Sequence, residues 1–157
     1  MRIAFGADDE NETTAAVRAR LVEAGHDVVD ATPSRDWPEV GAAVGRTVVD
    51  GGADLGVVMC WTGTGVSMAA NKVPGVRAAL AWEPWVAGGA RRWNDANVLA
   101  LSLKRLAPAV AVEVLDAFLA VDGPDPDERP ALDRLAELDR PPPGHQAPST
   151  APAAVDR

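Results

Sequence analysis

Five short apolar runs punctuate this sequence: RIAFG, HDVVDA, LGVVM, VRAALA and NVLALS. Between them lie stretches whose apolar residues recur at helical spacing. Val17, Leu21 and Ala24 precede Gly25, and Val40, Val44 and Val48 follow Pro38 and stop at Gly51-Gly52. LGVVM is apolar almost without break, as a strand covered on both faces must be. Such alternation favours an α/β sandwich with a mainly parallel sheet, in which loops at the carboxyl ends of the strands collect ligands. Asp8, Cys60 and the segment after Ala81 all fall at such ends.

The later helices are less regular. A helix between Glu83 and Arg92 carries Gly88-Gly89, each costing about 1 kcal/mol relative to alanine. Ala109 to Ala120 is a better helix, with Val110, Val114 and Phe118 on one side. DGPDPDERP reads as a turn-rich connection, and ALDRLAELD as a short helix docking through Leu132, Leu135 and Leu138. We expect one domain over residues 1–140 and a proline-rich, disordered tail over 141–157, in which His145 falls.

The formal charge of −8, from 23 acidic and 15 basic residues, argues against a nucleic-acid surface while leaving room for a small anion held locally. The single cysteine precludes an internal disulfide and any multi-cysteine metal pattern. No apolar run reaches membrane-spanning length, and acidic residues arrive where a secretory signal needs its apolar segment, so a cytoplasmic protein with no membrane partner is expected.

CWTGTGVS, directly after LGVVM, carries most of the functional information. A strand entering a glycine-rich bend exposes successive amides to an oxyanion, and a following helix adds its unsatisfied N-terminal donors. Gly63 and Gly65 permit the bend, while Thr62, Thr64 and Ser67 offer hydroxyls; Ser67 can equally cap a helix. GTGxS alone is also compatible with a structural turn. Cys60 is either a quiet buried thiol or, ahead of the amides, a base able to remove a carbon-bound proton while they steady the charge. Outside the tail only His26 is available, in a second strand, so no Cys/His pair has positional support. Asp8, Asp9, Glu10 and Glu12 form a solvated acidic loop, select a hydroxyl-rich or amino-bearing substrate, or bind one metal; the metal-free reading is preferred.

C-x-T-G-x-G-x-S-x-A-A-N-K-x-P-G-x-R-A-A-L, followed by N-D-A-N-V-L-A-L, closely resembles the ribose-5-phosphate isomerase B / galactose-6-phosphate isomerase family, over nearly all of the chain except the tail. The resemblance implies a Rossmann-like three-layer α/β sandwich on a mainly parallel five-stranded sheet. It also implies a homodimer, in some cases a tetramer, with active sites at the subunit interface. The activity implied is cofactor-free aldose–ketose isomerisation of a sugar phosphate through an enediolate. Cys60 matches the general base, and Thr62, Gly63, Thr64, Gly65 and Ser67 fall in the loop that stabilises the anionic intermediate. Asp8 matches the acidic residue that holds substrate hydroxyls, and Asn94 a downstream active-site asparagine; Asn71 and Arg77 lie within the motif. Lys104 and Arg129 match basic positions, Arg129 being the first of the C-terminal phosphate-contacting segment, and Arg91 coincides with a commonly basic position beside Arg92.

Departures from the pattern cluster at the chemistry. Asp9 and Trp93 replace histidines, Trp61 replaces a small glycine, and Pro130 replaces a histidine. Asp133 takes the place of a second arginine, for which Arg134 can compensate. Indole offers a donor but does not titrate near neutrality, so loss of the histidine that the resemblance links to ring opening favours a substrate already acyclic, an altered ring-opening arrangement or loss of isomerase activity. Asp9, Trp61 and Trp93 become candidate substrate contacts, with Trp61 and Trp93 forming an aromatic wall or serving in packing. The alternatives are a noncatalytic sugar or small-anion binder on the same scaffold, and an epimerase or lyase reusing the enolate geometry.

Overall fold

The computed structural model describes residues 1–139; the expected tail at 141–157 lies outside the described residues. The strands are β1 (Arg2–Ala7), β2 (Asp27–Asp30), β3 (Leu55–Cys60), β4 (Ala78–Leu80) and β5 (Val98–Ser102). They form one five-stranded sheet in the order β2-β1-β3-β5-β4, with every pairing parallel. The helices are α1 (Glu12–Glu23), α2 (Trp37–Val49), α3 (Thr64–Ala70), α4 (Pro84–Asn94), α5 (Pro108–Leu119) and α6 (Arg129–Glu137). The Rossmann-like expectation therefore holds.

Side-chain alternation along the strands divides the interior in two. Ile3, Phe5, Met59, Leu99 and Leu101 point to one face and join Val17, Leu21, Leu115 and Phe118 from α1 and α5. Ala4, Val58, Cys60, Val98 and Ala100 point to the other and meet Val40, Val44 and Val66 from α2 and α3. Each fully buried Leu, Val or Phe contributes about 1.5–3 kcal/mol to holding the helices on the sheet. On the second face α2 lies unusually close to α3, because a Cβ on Gly41 would stand 2.6 Å from the Val66 carbonyl oxygen.

Three sequence expectations need correction. Ala24 is exposed, because α1 has already reached its C-cap there. Val110 is exposed, and the buried stripe of α5 is instead Ala111, Val114, Leu115 and Phe118, one residue round the helix. The terminal helix forms, but none of its residues is buried: Leu135 and Leu138 are open and Leu132 is half-buried. It leaves the sheet after a 3-10 turn at Pro126–Glu128 and is tied back by the Gly75 amide donating to Asp139 Oδ2 at 2.8 Å. Gly88 and Gly89 are tolerated in α4 because both are buried, Gly88 against α5 near the Ala117 carbonyl and Gly89 under the Trp93 ring. Among the described residues no helix is long and apolar enough to cross a membrane.

Candidate active site

From β1 the chain passes to β2 on one side, while β3 is flanked by β5 on the other. A crevice therefore opens between the carboxyl ends of β1 and β3, the usual ligand position in open α/β sheets. Asp8 leaves β1 with its amide donating to the Met59 carbonyl at 3.1 Å, and Cys60 is the last residue of β3. The loops after β3 and β5 are zipped together. The Leu103 amide donates to the Cys60 carbonyl at 2.9 Å, and the Lys104 amide and Ser102 Oγ donate to the Trp61 carbonyl at 3.0 and 2.9 Å.

Cys60 is buried, 4% exposed, at the rim of the α2/α3 core. Its sulfur is not isolated from the loop donors: the Gly63 amide donates to Sγ at 3.1 Å and lies 3.2 Å from the Cys60 carbonyl. That bend needs the left-handed backbone of Gly63, at φ +77°, a conformation costly for a residue with a Cβ. The following amides of Thr64 and Gly65 open α3 and have no intrahelical acceptor. Thr62 and Thr64 share a hydroxyl contact at 2.7 Å, whereas Ser67 Oγ, one turn on, donates to the Ala78 carbonyl at 3.4 Å and ties α3 to β4.

The Asp8 carboxyl is half-buried, and its Oδ1 has no hydrogen-bond partner. Burial first, and the Asp9 carboxylate second, push its pKa above the ordinary value of 3.8; its own amide, Arg35 and the Trp61 amide pull the other way. The rest of the acidic run disperses. Asp9 Oδ1 accepts from the Glu10 amide at 2.8 Å, and Glu10 pairs with Arg35. Among the described residues no group of three His, Cys, Asp or Glu side chains is placed to hold a metal ion.

Around this centre stand Trp37, Trp82 and Arg105, which the sequence did not single out, beside Thr62, Trp61 and Lys104, which it did. Trp37, first in α2, lies against Gly65 so closely that a Cβ there would sit 3.0 Å from its ring. Trp61 is exposed, with Lys104 Nζ 5.2 Å from its ring centroid, a cation–π arrangement. Arg105 and Thr62 help line a cavity of about 360 Å³ at the carboxyl ends of β3, β4 and β5, with Trp82 at its edge. The adjacent basic pair Lys104-Arg105 was the one signal in the sequence for that second cation.

Asn94 and Arg129 lie elsewhere in this chain. Asn94 ends α4 at the amino end of the sheet, where the neighbouring Asn97 carbonyl accepts from the Gly56 amide at 2.9 Å, at the beginning of β3. Cys60 pairs with Ser102 at the opposite end, so the two regions are separated by about four strand residues, ~13 Å. Asn94, Arg129, Leu132 and Asp133 line a cavity of about 390 Å³ between α6 and the β4 edge. Arg129 Nε is 3.1 Å from Asp133 Oδ1, both side chains exposed, and Arg134 is exposed on the same helix. Trp93 folds back across Gly89 to an edge-on contact with Trp85, ring centroids 5.3 Å apart, so Trp61 and Trp93 form no common wall within one chain.

Several motif residues hold the fold. Asn71 brackets β4, its side chain exchanging bonds with the Ala78 amide and carbonyl at 2.8 and 2.9 Å. Arg77 pairs with Asp95 at 2.8 Å and also donates to the Asp95 carbonyl. Arg91 is buried, donating to the Ala96 carbonyl at 2.8 Å beside the Phe118 ring, and is not placed to meet a ligand.

Comparison with known proteins matches residues 3–134 to a family model described as Ribose/Galactose Isomerase. Ribose-5-phosphate isomerase B of Escherichia coli is 37% identical over 123 residues, covering 75% of this chain and 83% of that protein. A solved ribose-5-phosphate isomerase B from Clostridium thermocellum superposes with a TM-score of 0.83 at 31% identity, covering 88% of this chain and 97% of that one. The enzyme of the same name from Mycoplasma genitalium, solved with bound ribulose-5-phosphate, gives a TM-score of 0.78 at 29% identity, covering 88% and 95%.

Proposed function

The chain belongs to the ribose/galactose isomerase family, and from that premise we propose that it interconverts the aldose and ketose forms of a sugar phosphate, with Cys60 as the base and without a cofactor. The observation that carries this reading is the Gly63 amide aimed at Cys60 Sγ, at the mouth of the crevice between β1 and β3. The sulfur, as thiolate, takes the proton from the carbon next to the carbonyl of an open-chain substrate. The C–H electrons form a C=C bond and the carbonyl oxygen becomes the oxyanion of an enediolate. The amides of Thr64 and Gly65 face that charge. Return of the proton from sulfur to the neighbouring carbon, with a hydroxyl proton relocated between the two oxygens, completes the exchange.

Asp8 orients substrate hydroxyls, and the Lys104-Arg105 pair adds positive charge on the β5 side. Asn94 and Arg129 sit too far from Cys60 in one chain, so they enter as the contribution of a second copy, which makes the working unit a homodimer. Trp93 and Asp9, standing where the family carries histidines, favour a substrate that is acyclic before it binds. Together with the missing histidines, the Arg129–Asp133 pair favours the alternative of binding without turnover, because it occupies the arginine that would hold a phosphate.

The test is turnover of ribose- and ribulose-5-phosphate and of open-chain four-carbon sugar phosphates, with deuterium uptake from solvent at the carbon next to the carbonyl. Wild type should turn over at least one and exchange that hydrogen; Cys60→Ala and Cys60→Ser should do neither. Turnover retained in Cys60→Ala removes the assigned base. Ligand binding without turnover across the panel favours the noncatalytic reading.

A further inference from the structure

The segment joining β2 to α2 touches both lips of the crevice. Arg35 reaches the end of β1, where Nη1 donates to the Ala7 carbonyl at 3.1 Å, directly before Asp8, and Nη2 pairs with the Glu10 carboxylate, two residues after it. Two residues along, Trp37 packs on Gly65 of the loop after β3. The segment is itself ordered by local bonds. Thr32 Oγ1 accepts from the Ser34 amide, and Ser34 Oγ accepts from the Asp36 amide, each at 3.1 Å. We propose that Arg35 is a positioning residue of the active site, which straps the Asp8–Glu10 loop to the entrance of α2 and so fixes the direction and the charge of the Asp8 carboxylate.

This inference rests on the reading that Asp8 binds substrate hydroxyls, and it adds the group that keeps Asp8 fit to do so. Where the family carries a histidine after the first acidic residue, this chain carries Asp9, a second negative charge. Among the described residues, the charged side chains acting on Asp8 are Asp9 from its own loop and Arg35 from the β2–α2 segment. Glu10 is tied to Arg35, Cys60 closes β3 alongside, and Lys104 lies over the Trp61 ring. Arg35 alone among these side chains opposes the combined push of burial and Asp9. A fork-shaped guanidinium can hold a carbonyl and a carboxylate together, which an ammonium on a flexible stem does less well. The Arg35 side chain is 54% exposed, so truncating it removes a strap and a charge without opening the core.

The experiment uses the full chain with ¹³C-labelled aspartate, the Asp8 carboxyl signal being assigned with Asp8→Asn. Its pH midpoint is followed in wild type, Arg35→Ala and Arg35→Lys, alongside KM and kcat. In Arg35→Ala the Asp8 midpoint should rise by about half a pH unit. Arg35→Lys should bring it most of the way back while KM stays about 3-fold raised, because charge returns without the double anchor. An unmoved midpoint in Arg35→Ala overturns the proposal, as does a lysine variant that restores KM and leaves the midpoint shifted. The carboxyl signal needs no turnover. A wild type inactive on every sugar phosphate therefore sinks the isomerase reading alone, and an active wild type whose midpoint ignores Arg35 sinks this proposal alone.

Discussion

The backbone N–H of Gly63 is 3.1 Å from Sγ of Cys60, three residues earlier in the chain. On the proposed mechanism the bond joins the base to the loop facing the reaction, and it depends on a backbone conformation few residues adopt. A Cβ at position 63 would carry φ +77° and stand 2.5 Å from Leu80 Cδ1 and 3.0 Å from the Leu101 backbone. Gly63→Ala should therefore cost about 2–4 kcal/mol, combining left-handed strain with overpacking. It should also lower kcat by about 100-fold as the amide leaves the sulfur. Urea unfolding and steady-state kinetics report the two effects separately. A stable variant with full activity would show that the bond has no part in the chemistry.

Asp8 trades stability for its place in the crevice. Its folded pKa lies above the ordinary 3.8, chiefly through burial, so the folded chain retains a proton that the unfolded chain has released. As pH rises from 3.8 through the folded midpoint, ionising Asp8 costs stability, and that cost is fully present above that midpoint. Asp8→Asn should raise Tm at pH 7 by about 1–4 °C, with the gain shrinking as pH falls towards 3.8, while isomerisation drops about 100-fold or more. A Tm gain independent of pH would place the cause in packing or local hydrogen bonding instead.

The parallel sheet was legible because its strands are short apolar runs separated by helices long enough to cross over. The strand order was not, since nothing local in VRAALA makes β4 the edge and seats β5 between it and β3. The Cys60 loop was legible from its glycines, whose spacing is a property of the chain itself. Arg35 and Trp37 escaped notice because what matters about them lies far off in sequence, at Ala7 and at Gly65. For α6 the leucine spacing correctly indicated a helix. Spacing records that a face is apolar, not what covers it, and in one chain Leu135 and Leu138 remain open.

Asp133 holds Arg129 in an exposed i,i+4 pair at 3.1 Å. Pairs this exposed contribute little to folding, so Asp133→Asn should leave Tm within about 1 °C. On the reading that Arg129 holds the substrate's phosphate, that phosphate must compete with the carboxylate for the guanidinium. Removing the competitor should lower KM for a phosphorylated substrate by about 3–10-fold and leave kcat nearly unchanged. An unphosphorylated analogue should gain nothing. Equal effects on both substrates, or none on either, would separate Arg129 from phosphate recognition.

On the proposed reading, Cys60 at the carboxyl end of β3 and Asn94 with Arg129 at the α6 cavity are two halves of one site. If a second copy completes each, damage to the two halves should complement. Cys60→Ser and the double variant Asn94→Ala/Arg129→Ala should each be nearly inactive alone. Co-refolding them in equal amounts should restore activity, because every mixed dimer carries one doubly damaged site and one intact site. Random pairing makes half the dimers mixed, so recovery should approach about a quarter of the wild-type rate. Native mass spectrometry of the two chains, distinguished by a mass tag, counts the mixed dimers independently of activity. Mixed dimers that form in quantity and stay inactive would show that Asn94 and Arg129 do not complete the site around Cys60.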